Sequence, residues 1–324
     1  MNEEVTPAGP VSQPHVPPEH PAVSQANRRS DYWVLAAGVV TSLLATGLVF
    51  FTSIASVLSG YDEDVYYEDT AADAGFFGDL LSFVVIGGIA LILILTLVRM
   101  MRQQVLGNAL QVEYSDYAWL REWSNQVAQD LHMPRVEIMV TQDPVINAYA
   151  FGFATPYTIV LNSGSIRWLT QEQLKAVVVH EMAHVKYHHT QIGTYLNLLR
   201  LMPILGTLNG WLLDFWSRRA ELTADRLALC YLRDNEQVKE SLIGVHVGPD
   251  VAKSFNDIAR QWQVYMTSSY FNRFTQTFSS HPFLVRRLQH LDAKTAELSP
   301  MWSQAEVVKK PVRTRSTTKK SSDE

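Results

Sequence analysis

Residues 177–189 read VVVHEMAHVKYHH, and the interpretation of the 324-residue chain starts from this stretch. Its HExxH pattern consists of His180, Glu181 and His184. On an α-helix, residues four positions apart project from one face, so both imidazoles can reach one zinc ion at about 2.0 to 2.1 Å. Glu181 then lies beside them, where it can take a proton from a zinc-bound water.

A helix is predicted at this motif. Thr170 is followed three residues later by Gln173, which is a capping-box pattern that opens a helix. The alternative interpretation is purely structural, with both histidines hydrogen-bonded on a helix face and Glu181 in solvent. The helical placement of the motif favours the metal-binding interpretation.

A catalytic zinc site needs a third protein ligand and leaves the fourth position to water. The extended pattern HExxHxxGxxH is excluded, because Tyr187 and Thr190 stand where it requires Gly and His. His188 and His189 follow at the expected fraying end of the helix and are poor candidates. Glu221, on a second predicted helix, is a better candidate.

The surroundings of Glu221 in the sequence support this choice. Asp225 lies one turn later on the same predicted face, where it can orient a zinc-bound imidazole. A single Glu on a helix is ordinarily a solvated surface charge. Here the company of Arg218, Ala224 and Asp225 outweighs that interpretation.

The composition is that of an ordinary soluble enzyme, with 47% apolar and 18% charged residues. It argues against a polytopic transporter and against a largely disordered chain. The net charge of -5 gives no basis for nucleic-acid binding. Cys230 is the single cysteine, which excludes an intramolecular disulfide and a cysteine-rich zinc site.

This average conceals two uncharged blocks. No Asp, Glu, Lys or Arg occurs over residues 32–61 or over residues 80–98. A 19-residue helix reaches about 28 Å, the thickness of the bilayer core, so membrane-spanning helices are predicted at about 33–58 and 80–98. A buried core helix or a cleaved signal peptide is the alternative, which the length and position of these blocks disfavour.

The flanking charges orient this hairpin. Arg28 and Arg29 precede the first block and Arg99 and Arg102 follow the second, whereas residues 60–79 carry seven acids and no base. The positive-inside rule therefore predicts that the connecting loop is external and that both outer flanks are cytoplasmic.

Residues after 102 show mixed helix and strand patterns at normal charge density. A helix is predicted at 115–131, followed by β-prone runs at 136–140, 148–151 and 157–162.

Two motifs together resemble a known family. HEMAH at 180–184 and RRAELTAD at 218–225, behind an N-terminal hydrophobic hairpin, are similar to the M48 family of membrane zinc metallopeptidases, in particular its HtpX branch. The resemblance covers roughly residues 30 to 300. NAYAFG at 147–152 resembles the NAxA strand of the family, and SHP at 280–282 resembles its His-Pro segment, with Arg286 or Arg287 following.

The resemblance implies an α+β fold, in which a mainly helical zincin domain of the gluzincin type with a small β-sheet follows the transmembrane hairpin. It implies one zinc ion per chain, with His180, His184 and Glu221 as ligands and Glu181 as general base. Arg218 and Asp225 are expected to support the ligands.

The resemblance also implies how a substrate is held. Its extended backbone is expected to lie against the edge strand that includes Asn147 and Ala148, where main-chain hydrogen bonds give affinity. His281 is expected to donate a hydrogen bond to the oxyanion. The alternative for His281 is a histidine near a helix start, ahead of Pro282 at the first helical position.

Members of the HtpX branch carry further apolar segments between the two motif helices. Here the longest uncharged run within 192–213 is 201–213, which is too short to span a bilayer. Two spans are therefore predicted, with residues 191–216 lying against the membrane or over the active site.

The predicted organisation has four parts. They are a disordered Pro-rich arm (1–30), the transmembrane hairpin (31–102), a zinc metallopeptidase domain (103–302) and a basic disordered tail (303–324), for which attraction to anionic lipid is an alternative.

The function expected from the resemblance is a zinc endopeptidase in the inner (cytoplasmic) membrane, with its catalytic domain and both termini cytoplasmic. Membrane proteins and the lipid bilayer are its expected partners, quality control is its expected role, nucleic acid is excluded, and the oligomeric state is open. The alternatives are a catalytically silent zinc-binding membrane scaffold and a prenyl-peptide-processing protease of the same family.

Overall fold

A computed structural model describes most of the chain. The described residues are 18–59, 102–152, 155–200, 203–254, 257–275, 279 and 281–309, with isolated positions between 81 and 100. The predicted external loop, most of the second predicted span, and the ends of the predicted arm and tail lie outside the described residues.

The described elements alternate between helices and a small group of strands. The helices are α1 (Ala22–Ala26), α2 (Arg29–Ser59), α3 (Ala118–Asp130), α4 (Ser163–Trp168), α5 (Gln171–Lys186), α6 (His189–Arg200), α7 (Pro203–Leu232), α8 (Asn235–Val247), α9 (Pro249–Ala252), α10 (Asp257–Thr267), α11 (Tyr270–Thr275) and α12 (Leu284–Lys309). The strands are β1 (Ala109–Gln111), β2 (Val136–Thr141), β3 (Ala148–Phe151) and β4 (Tyr157–Asn162).

The four strands form one sheet in the order β1-β2-β4-β3. β3 is the last strand in this order and therefore lies at an edge of the sheet. β2 and β4 are parallel, whereas the two outer pairs are antiparallel. All six residues of β4 are buried, as expected for a central strand between helices. The three strands predicted from the sequence are confirmed, and with the surrounding helices they confirm the α+β class; β1 was not predicted.

The HExxH helix α5 lies in the middle of the core. Its predicted capping box is confirmed: the N–H of Gln173 donates to Thr170 Oγ1 at 3.2 Å, and the N–H of Thr170 donates to Gln173 Oε1 at 3.1 Å. Val178 and Met182 are fully buried on this helix. α7, α8 and β3 pack around α5, which fixes the motif in one orientation.

The prediction that residues 1–30 form a disordered arm is wrong at α1, which packs against the rest of the chain. The hydroxyl of Tyr187 donates to the carbonyl of Val23 at 3.0 Å, and Arg226 Nε donates to the carbonyl of Ala26 at 2.8 Å. The apolar side chains of α1 are buried in the main core. Composition did not reveal this, because small side chains fill a space that distant residues create.

α2 covers the first predicted span as one helix of 31 residues. Asp31 fixes its start to α7, accepting hydrogen bonds from Arg219 Nε at 2.6 Å and from Thr223 Oγ1 at 2.8 Å. Further along α2, large side chains such as Leu43 and Phe51 are exposed. Among the described residues, no helix combines the length and apolarity needed to cross a membrane, and neither predicted span is confirmed.

α6 and the following part of α7 pack beside α2. Trp216 on α7 is buried with Leu196 of α6, and Val34 and Leu35 of α2 pack against them. Gly193 and Thr194, near the start of α6, line the cleft described below. The segment predicted to lie against the membrane or over the active site thus contacts α2 and borders the site.

α12 extends past the predicted domain boundary at 302, so residues 303–309 are helical and not part of a disordered tail. Leu291 and Leu298 bury one face of this helix. The helix continues through Pro300, a residue that commonly ends or kinks a helix.

We expect Val23→Asp to lower the free energy of unfolding by on the order of 3 kcal/mol, because it leaves an unpaired charge in the core. Ser24→Asp is the matched control, since Ser24 is exposed on the same helix. Thermal unfolding of the detergent-purified full chain measures both. Equal midpoints for the two variants would contradict the docking of α1.

Candidate metal centre

Three side chains from α5 and α7 converge as the sequence predicted. His180 Nε2 lies 3.3 Å from His184 Nε2 and 3.4 Å from Glu221 Oε2, and His184 Nε2 lies 3.6 Å from Glu221 Oε1. A tetrahedral ion with bonds of about 2.1 Å separates its ligands by about 3.4 Å. The spacing and the donor set of two imidazoles and one carboxylate therefore fit zinc.

A carboxylate lies beside the candidate ligand His180. His180 Nδ1 lies 3.0 Å from Asp225 Oδ1. Arg287 on α12 binds Asp225 through two parallel hydrogen bonds, Nε to Oδ2 at 2.7 Å and Nη2 to Oδ1 at 2.6 Å. The same Arg287 Nη2 lies 3.3 Å from Glu221 Oε2, so one guanidinium contacts both buried carboxylates. The sequence left open whether Arg286 or Arg287 accompanies the His-Pro segment. The structure brings Arg287 into the site.

These contacts shift the pKa values of the carboxylates and imidazoles. Burial would lower the pKa of His180, but hydrogen bonds to Asp225 and Glu221 raise it to about 10. Burial would raise the pKa of Asp225, but Arg287 holds it well below its usual range. A metal ion at His180 Nε2 would replace a proton there, because a ligating imidazole must be neutral.

Glu181 has a different environment from the other carboxylates. Its Oε2 accepts a hydrogen bond from the main-chain N–H of Ala150 on β3 at 2.8 Å. Burial raises the pKa of Glu181 to about 7. A carboxyl group with this pKa can accept and release a proton near neutral pH, as a general base requires.

His189 also belongs to the centre, although its expected place at a fraying helix end made it a poor candidate. Its Nδ1 lies 3.2 Å from His184 Nδ1. Burial lowers the pKa of His184 to about 4 and that of His189 well below its usual value. His188 has a φ of 60° and forms the turn after α5, so His189 begins a new helix. The adjacent histidines were the one sequence signal for this contact.

The structure also brings His281 to the centre. Its ring is 65% exposed, and Nδ1 lies 3.4 Å from Glu221 Oε1. The alternative interpretation of His281 required Pro282 at the first helical position. α12 begins at Leu284 instead, so Pro282 lies before the helix. The exposed ring beside a metal-ligand candidate leaves His281 accessible from the cleft.

Arg218 is buried and ties α7 to the segment that carries His281. Its Nη1 donates to the carbonyl of Ser279, two residues before His281. The supporting role of Arg218 stays a prediction, and this segment is the part of the centre that it contacts.

A cleft of about 740 Å³ opens over the centre, with β3 on one side. Asn147 and Ala148 both line it. The main chain of Asn147 is already engaged: its N–H donates to Ser165 Oγ at 2.9 Å, and its carbonyl accepts from the N–H of Asn162 at 3.0 Å. Main-chain groups alternate in direction along a strand. Ala148 therefore faces the same way as Ala150, toward the cleft.

Parts of the chain are similar in sequence to known proteins. The sequence profile of peptidase family M48 matches residues 115–295. The plastoglobule-localized metallopeptidase 48, chloroplastic, of Arabidopsis thaliana is 31% identical over 214 residues, which cover 60% of this chain and 62% of that protein. Protease HtpX homolog 1 of Sulfurisphaera tokodaii is 30% identical over 109 residues, which cover 33% of this chain and 34% of that protein.

The chain thus spans less than two thirds of the length of either relative. The crystal structure of S. mikatae Ste24p aligns with 80% of this chain and 74% of that chain, with a TM-score of 0.40 and 15% identity.

We expect Glu221→Gln to weaken zinc binding more than about 100-fold, because loss of a ligand exceeds the 10- to 100-fold effect of losing an outer partner. Glu236→Gln, on the exposed side of α8, is the matched control. Elemental analysis and chelator competition measure zinc content and affinity. Unchanged zinc in the Glu221 variant would exclude it as a ligand.

Proposed function

Because this chain belongs to peptidase family M48, we propose that it is a membrane-anchored, zinc-dependent endopeptidase. The observation that carries the proposal is the convergence of His180, His184 and Glu221 at distances that suit one zinc ion. Glu181, buried next to them under the edge strand, supplies the proton acceptor that peptide hydrolysis requires.

The mechanism assigns separate tasks to the residues of the centre. When bound, zinc supplies Lewis-acid chemistry for the scissile carbonyl and for the attacking water. Glu181 Oε2 is engaged by the N–H of Ala150, which leaves Oε1 to accept the proton of the water. Glu181 then delivers this proton to the leaving amine. His281, whose ring is accessible beside Glu221, donates a hydrogen bond to the oxyanion.

The substrate binds by adding an extended strand to β3. Within the part of the chain that the structure describes, β3 is paired along one edge, and the main-chain groups of Ala148 point to the other edge. Main-chain hydrogen bonds of this kind make little demand on side-chain identity. Asn147 lies directly before β3 and lines the cleft. Its main-chain N–H is already hydrogen-bonded within the protein. An endopeptidase with broad sequence tolerance fits this arrangement.

The membrane anchor is proposed from the uncharged blocks and the surface of α2. Leu43, Leu44, Leu48 and Phe51 are each at least 65% exposed on this helix, which is unfavourable in water and favourable in lipid. We infer a hairpin of two spans, with an external acidic loop and a cytoplasmic catalytic domain. A site fixed beside the bilayer meets membrane proteins first, which favours a role in their quality control.

A catalytically silent zinc scaffold is the competing function. A structural zinc site has no need of a buried carboxylate with a pKa near 7, so Glu181 favours the enzyme. The two functions predict different behaviour when this carboxylate is neutralised.

We expect Glu181→Gln to retain zinc and to lower kcat by about 100-fold or more, because the proton acceptor is lost and the ligands remain. Glu172→Gln is the control, since Glu172 is exposed on the same helix. Cleavage of an unfolded membrane protein in detergent measures both variants. Equal cleavage by wild type and Glu181→Gln would contradict the proposed endopeptidase function.

The topology can be tested by single-cysteine labelling in a Cys230→Ser background. Cysteines within 60–79 should react with an impermeant maleimide from outside, and cysteines within 103–216 should react only after permeabilisation. External labelling within 191–216 would overturn the two-span topology.

A further inference from the structure

The two imidazoles of the metal centre differ in what stands behind them. His180 has the carboxylate of Asp225 at its Nδ1. His184 has another imidazole, since His189 Nδ1 lies 3.2 Å from His184 Nδ1. The two rings are 5.2 Å apart and inclined by 69°. The opposite nitrogen of His184, Nε2, faces His180 and Glu221.

The chemistry of zinc ligation decides which nitrogen carries each proton. If His184 binds zinc through Nε2, its proton must be on Nδ1. That N–H then points at His189 Nδ1, which must offer a lone pair and therefore carries its own proton on Nε2. The contact is thus a directed hydrogen bond, donated by His184 and accepted by a neutral His189.

His189 is held firmly enough to orient another ring. It packs edge-on against Trp216 at 5.7 Å and 89°, and lies 5.8 Å from the ring of Tyr187. Trp216 is itself buried between α6, α7 and α2. The turn at His188 starts α6 at His189, which fixes the backbone below the ring.

We propose that His189 is a positioning residue that holds His184 in its zinc-binding tautomer and orientation. The inference rests on the proposed zinc site. Outer partners of this kind commonly raise metal affinity 10- to 100-fold. His189 is not itself a ligand: among the described residues, the side chains whose donor atoms cluster within 4.8 Å are His180, His184 and Glu221.

Two substitutions separate hydrogen bonding from packing. His189→Phe keeps an aromatic ring against Trp216 but removes the acceptor. His189→Asn keeps an oxygen acceptor close to the position of Nδ1 but removes the ring. His188→Asn is the matched control, because His188 is the exposed neighbour and Asn tolerates its positive φ.

The readouts are the zinc dissociation constant by chelator competition, the visible spectrum of the Co²⁺-substituted full chain, and thermal unfolding with chelator and with excess zinc. We expect His189→Phe to weaken zinc binding about 10- to 100-fold and to alter the Co²⁺ spectrum. Its unfolding midpoint in chelator should equal that of wild type. His189→Asn should retain most of the affinity, and His188→Asn all of it.

Wild-type zinc affinity in His189→Phe would overturn the proposal, and so would equal losses in the Phe and Asn variants. These measurements need no substrate, so they hold for a catalytically silent protein as well. Failure of the wild type to bind zinc would overturn the metal centre and this inference together. Zinc binding without peptidase activity would contradict only the proposed endopeptidase function.

Discussion

The burial of two carboxylates, one turn apart on α7, is the constraint on which the rest of the structure depends. Glu221 and Asp225 are 8% and 1% exposed, and a buried carboxylate is stable only when it is paired and hydrogen-bonded. Arg287 contacts both, so α12 must pack across α7 at this turn. His180 lies next to both carboxylates as well, which brings α5 against the same turn. The arrangement of the three helices follows from this one requirement.

The features that the sequence predicted correctly are those whose cause is local. The capping box at Thr170 needs only Gln173 three residues away, and the pairing of His180 with His184 needs only the helical repeat. The strands at 148–151 and 157–162 appear as β-prone runs and are observed at the same bounds. The position of Glu221 beside the two histidines was also expected, because its neighbours on one helix face were informative, and its role as a ligand stays a prediction.

The features that the sequence missed depend on contacts between distant residues. α1 looked disordered because its composition is poor in large apolar residues, yet Arg226, two hundred positions later, binds the carbonyl of Ala26. The partner of Arg218 is a carbonyl at Ser279, and no side-chain pattern can reveal a main-chain acceptor 61 positions away. His189 was assigned to a fraying end, because a positive φ at the preceding residue cannot be inferred from spacing.

The different partners of His180 and His184 fit the charge balance of the centre. One guanidinium, that of Arg287, already faces two buried carboxylates. A carboxylate in place of His189 would add a third negative charge near Glu221 without a further cation. Nearby negative charge raises the pKa of Glu181, which burial has already raised to about 7. A further increase would leave Glu181 protonated at neutral pH, where it could no longer accept a proton. A neutral imidazole at this position adds no such charge and is compatible with the base role proposed for Glu181.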